Sequence, residues 1–87
     1  APAQITLSHD AAGGVWANFA MVSHSPYEFT IDFIRMDFAR QPLAGVVVSR
    51  ANLSPPFVTQ LLEALKENWE NYAPKAMPPE VQNDNGH

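Results

Sequence analysis

Gly14-Val15-Trp16-Ala17-Asn18-Phe19-Ala20-Met21-Val22-Ser23-His24-Ser25-Pro26-Tyr27-Glu28-Phe29-Thr30-Ile31-Asp32-Phe33-Ile34-Arg35-Met36-Asp37-Phe38 is the stretch on which the fold turns. Its apolar residues recur with a period of two, so it reads as two long antiparallel strands, Val15 to Val22 and Tyr27 to Phe38. Ser23-His24-Ser25-Pro26 joins them, a turn in which Pro26 presets φ and the small polar side chains bond the backbone. Neither face of this hairpin is cleanly polar. Val15, Ala17, Phe19 and Met21 alternate with Trp16, Asn18, Ala20 and Val22; Phe29, Ile31 and Phe33 oppose Glu28, Thr30 and Asp32, before Ile34 and Met36 take over the second face. A sheet with one wet side alternates more sharply than this. Trp16, Asn18, Val22, Ile34 and Met36 are therefore expected on a protein contact surface.

The flanks extend the sheet. Gln4 to Ser8 alternates polar and apolar, predicting a short strand with Ile5 and Leu7 inward, followed by a turn at His9 to Gly14. Asp37 to Ala44 is a loop in which Pro42 has no N–H to give a ladder, and Gly45 to Ala51, with three consecutive valines, is a further strand. Ser54-Pro55-Pro56 then opens a helix, with Ser54 as N-cap and proline at its first position. The helix is expected to run from Pro55 to Tyr72 and to stop at Pro74. At about 100° per residue Phe57, Val58, Leu61, Leu62, Leu65, Trp69 and Tyr72 share one arc, and Glu63, Lys66, Glu67 and Glu70 lie opposite. Such a helix lies flat on a sheet. Asn68 falls inside the apolar arc, where its amide needs a partner and would fix packing or register.

The fold expected is α+β: a four-stranded antiparallel meander with one C-terminal amphipathic helix on a face, paired with a copy of itself or a related chain. Residues 1–73 form the single domain and 74–87 a Pro/Asn-rich tail, without fixed structure by composition, that places Val81 at a partner. At 87 residues one core is near the lower limit of stability, and with no cysteine there is no disulfide to staple it. An apolar fraction of 46 % in so short a chain favours a neighbour that shelters the surplus. Net charge −4, with five scattered basic residues, argues against nucleic acid. No apolar run approaches the roughly 20 residues of a membrane span, and the amino-terminal Ala1-Pro2-Ala3-Gln4 lacks the pattern of a secretory signal, so a cytoplasmic location without membrane insertion is expected.

No chemistry stands out. Ser8-His9-Asp10 spells the letters of a hydrolase triad, but adjacent residues alternate in direction and cannot converge; Ser23-His24 meets the same objection. His24 with Glu28 and Asp32 offers imidazole and carboxylates, yet without a third firm ligand or a recognised spacing it makes no metal site. Gly13-Gly14 precedes neither a lysine nor a helix, as a phosphate loop requires. Pairing of Arg35 with Asp32 and of Arg50 with Asp37 is expected across strands, at about 0–1 kcal/mol each. Catalytic residues, cofactors and metals are accordingly expected to be none. His24 and Pro26 are expected to shape the turn, and Ser54 and Asn68 the helix.

Trp16-Ala17-Asn18, Val22-Ser23-His24-Ser25-Pro26 and Glu28-Phe29-Thr30-Ile31-Asp32-Phe33 resemble a family of short bacterial and archaeal proteins catalogued as domain of unknown function 3467. Ser49-Arg50, Leu53-Ser54-Pro55, Leu61-Leu62, Ala64-Leu65, Asn68 and Tyr72 fit the same pattern, which covers residues 4 to 73 without the Phe38 to Leu43 loop or the tail. The resemblance implies a strand-rich domain ending in a helix and transfers no activity. The order of strands then helix is also similar, in topology alone, to a reduced version of the export chaperone SecB. The expected function is a non-catalytic structural or accessory subunit of a multiprotein complex, binding protein partners through its apolar sheet face, an edge strand and its tail. The alternative is a SecB-like holder of unfolded segments.

Overall fold

The structure, a computed structural model, describes residues 3–76. Three strands and a helix follow in order: β1 (Phe19–His24), β2 (Phe29–Asp37), β3 (Ala44–Leu53) and α1 (Pro55–Ala76). The strands form one antiparallel sheet in the order β1-β2-β3, with both outer strands as edges. The hairpin is thus present, with β1 shifted later than its alternation predicts and β2 shorter at both ends. Ser25 closes its turn: Ser25 N donates to Glu28 O at 2.9 Å, while Ser25 Oγ accepts from Tyr27 N and Glu28 N. His24 instead stacks on Phe29, its direct partner in the ladder, with ring centroids 5.3 Å apart.

The fourth strand expected at Gln4 to Ser8 does not form. Ile5 is 92 % exposed, and the segment runs as coil into a turn in which Ala11 N donates to Ser8 O. Alternation states which side chains would face inward, but a strand also needs an edge to pair with, and this one meets none. Gly14 closes the turn at φ 69°, left-handed backbone that suits glycine.

Register decides which residues share a face. His24, Val22 and Ala20 oppose Phe29, Ile31 and Phe33, which oppose Leu53, Ala51 and Ser49. This face is apolar. The other begins polar, with Thr30 Oγ1 donating to Asn52 Oδ1 at 2.9 Å beside the Asp32–Arg50 ion pair. It turns apolar where Phe19 faces Ile34 and Ile34 faces Val47. A bulge between the Phe33–Ser49 and Ile34–Val47 pairs leaves Val48 as the extra residue of β3. The expected pairings of Arg35 with Asp32 and of Arg50 with Asp37 are corrected: Asp32 and Arg50 are direct cross-strand partners. Their bidentate contact holds the Asp32 carboxyl below its usual range and the Arg50 guanidinium above its own.

α1 starts as expected, with Ser54 O accepting from Phe57 N and Val58 N. It does not stop before Pro74, which lies inside it, so the domain limit expected at residue 73 falls within the helix. Pro74 has no N–H for the Glu70 carbonyl, so the last turn is one helical bond short, while Lys75 suits the negative end of the dipole.

The expectation that α1 packs flat on the sheet is met only at its first turns: Val58, Leu61, Leu62 and Leu65 line a groove with Val22, Phe29, Ile31 and Leu53, and no side chain of the helix is buried. Among the described residues Ile34, 6 % exposed, is the whole buried apolar core.

Candidate protein-interaction site

Two concave surfaces result from this incomplete closure. The larger lies at the Phe19 end of the sheet, an open depression of about 580 Å³ lined by Trp16, Asn18, Arg35, Met36, Arg40 and Val46, among others. Asn18 builds it. Its backbone N donates to Ile34 O at 3.0 Å; its side-chain Oδ1 accepts from Met36 N at 2.8 Å, and Nδ2 donates to Met36 O at 3.2 Å. The amide thereby occupies the place of a backbone ladder and ends β1, so the chain before it leaves the sheet and carries Trp16 to the rim. The indole is 63 % exposed.

Opposite, Gly45 lets Met36 lie across β3. A methyl group at Gly45 would collide with Met36 Sδ and come within 3.0 Å of Ile34 Cγ2. Arg35 and Arg40, two of the five basic residues, border the depression. Asp37, also on its wall, uses Oδ1 to accept from Ala39 N at 3.1 Å. An exposed tryptophan flanked by two guanidiniums is a composition enriched at the energetic centres of protein interfaces.

The second surface is an apolar groove of about 170 Å³ between Val22, Phe29, Ile31 and Leu53 of the sheet and Val58, Leu61, Leu62 and Leu65 of α1. Beyond it the helix carries Trp69 and Tyr72, about half exposed and 5.5 Å apart between ring centroids. Asn68 satisfies its own amide on this stripe, donating from Nδ2 to Ala64 O at 2.9 Å.

Of the residues expected at a contact, the structure brings Trp16, Asn18 and Met36 together at the depression and sends Val22 to the groove. Ile34 is buried within the sheet and is corrected from contact to core. Val81 lies outside the described residues. His24 and Asp32 sit on opposite faces of the sheet and do not converge, since their ladder positions differ in parity. The sequence reading offers Arg35 only as a partner for Asp32 and gives Arg40 no role, because the loop that returns Arg40 beside β2 is invisible to periodicity.

Among the described residues no helix is long and apolar enough to cross a membrane. The chain belongs to the family described as protein of unknown function (DUF3467), whose pattern matches residues 1–80 and so runs through the Phe38 to Leu43 loop and into the tail. No curated protein and no solved structure matches the chain.

Proposed function

We propose that this member of the family is a non-catalytic accessory subunit that works by binding other protein surfaces, with Trp16 as an anchor and the helix-side groove as a second area of contact. The observation that supports this reading is the exposure of its apolar side chains. Trp16, Val22, Leu62 and Leu65 are each about 60 % or more exposed, around a core of one buried isoleucine. A monomer rarely leaves contiguous apolar patches of this extent in water. Arg35 and Arg40 beside Trp16 favour a partner segment that brings carboxylates to the indole.

Trp16→Ala tests the reading. Recovery of a stoichiometric partner from native extracts by the tagged full chain is expected to fall tenfold or more, with the thermal midpoint moved by only a few degrees. Equal loss of binding and stability would place Trp16 in the core and refute the anchor. Indiscriminate capture of unfolded polypeptides, unchanged by Trp16→Ala, would favour the holder of unfolded segments instead.

A further inference from the structure

Among the described residues β1 and β3 are both edges, and they differ in how they are protected. β3 carries Arg50 and a bulge, two devices that discourage a further strand from adding. β1, with the sequence Phe-Ala-Met-Val-Ser-His, contains no lysine, arginine, carboxylate or proline, and all six of its residues are exposed. Alternate residues of an edge strand turn their N–H and C=O groups outward, where they form a template for pairing.

We infer that β1 pairs antiparallel with β1 of a second copy of this chain about a twofold axis at Met21, giving a six-stranded sheet. This rests on the proposed binding role and names one occupant for one edge. The register places Ala20 against Val22 of the second copy on the helix side, and Met21 against its own counterpart on the other. No charge meets a charge in this ladder. That neutrality is what self-pairing demands of a chain with net charge −4, since an edge built for a different protein is free to use complementary charges and this one uses none.

Phe19, Met21 and Val22 on β1, with Leu62 and Leu65 of α1 beside Val22 in the groove, are 48–63 % exposed. At on the order of 100 Å² each they offer about 500 Å² per copy, about 1,000 Å² in all, which reaches the area a specific interface needs. The charged side chains Glu63, Lys66, Glu67 and Glu70 line a separate face of α1, so its apolar stripe approaches the joined sheet without bringing like charges together.

The full chain lacks cysteine, so single cysteines report proximity without background. Met21→Cys is expected to form a disulfide-linked dimer on mild oxidation, while Val47→Cys, on the same face at the other edge, is not. Light scattering of the unmodified chain is expected to give about 19 kDa, twice 9.6 kDa. Met21→Lys, which sets two ammonium groups against each other at the axis, is expected to raise the dissociation constant at least tenfold with the circular dichroism unchanged. If that variant fails to fold, the cysteine pair decides. A monomer at concentrations on the order of 100 µM, or cross-linking through Val47→Cys in place of Met21→Cys, overturns the inference. A monomeric chain whose recovery of another protein still depends on Trp16 would defeat the dimer and leave the proposed function standing. A β1 dimer in which Trp16→Ala changes no binding would do the reverse.

Discussion

Replacing Ile34 by alanine removes three carbons from the most enclosed side chain in the described fold, 6 % exposed between Phe19 of β1 and Val47 of β3. At about 0.8 kcal/mol per buried carbon the transfer term is near 2.5 kcal/mol, and incomplete collapse around the vacated space raises it to roughly 3–4 kcal/mol. A domain of this size has only about 4–13 kcal/mol of stability, so the variant loses a large part of it. The thermal midpoint is expected to fall by about 12–32 °C. Urea unfolding followed by circular dichroism, at matched protein concentration, measures the difference directly. Trp16→Ala is the companion: its indole is larger but 63 % exposed, and its cost is expected within about 1 kcal/mol. The reasoning fails if the order is reversed, with Ile34→Ala below 1 kcal/mol and Trp16→Ala above 2 kcal/mol.

Asn18→Ala removes both side-chain bonds to Met36 and is expected to cost about 1–2 kcal/mol, with faster amide exchange at Met36 than at Ile31. Gly45→Ala forces Met36 off β3 and is expected to destabilise by about 1–3 kcal/mol in the same urea assay; Gly45→Ala combined with Met36→Ala recovers part of the loss if the clash is the cause. The Asp32 carboxyl has its folded pKa lowered by Arg50, so its contribution is present above the unfolded value near 3.9 and disappears as pH falls through the folded value. Asp32→Asn is therefore expected to flatten the acid limb of the stability curve below about pH 4, and an unchanged limb would show that the pair does not bind tighter in the folded state.

The hairpin and the start of α1 were legible because their signals are local. Period-two alternation marks β2, and Ser54-Pro55-Pro56 marks the helix entry. The errors share a cause, since each needed a partner outside the segment that was read. Gln4 to Ser8 alternates well but finds no edge. Arg50 was matched with Asp37 because periodicity assigns a face and not a register, whereas the ladder sets Arg50 opposite Asp32. The amphipathic stripe of α1 shows that one side avoids water, yet nothing in its spacing says whether the cover comes from its own sheet. Ile34 and Trp16 carried the same apolar signal and separate only in space, one in mid-sheet and the other beyond the point where Asn18 ends β1. His24 owes its stacking on Phe29 to the hairpin register rather than to any residue beside it.

Native mass spectrometry of the purified 87-residue chain, alone and after incubation with native extract, asks directly whether a neighbour covers this surface. The account predicts assemblies heavier than the 9.6 kDa chain, with a thermal midpoint that rises with concentration or with added partner. A solitary 9.6 kDa species, melting reversibly at one temperature whatever its concentration, would contradict it.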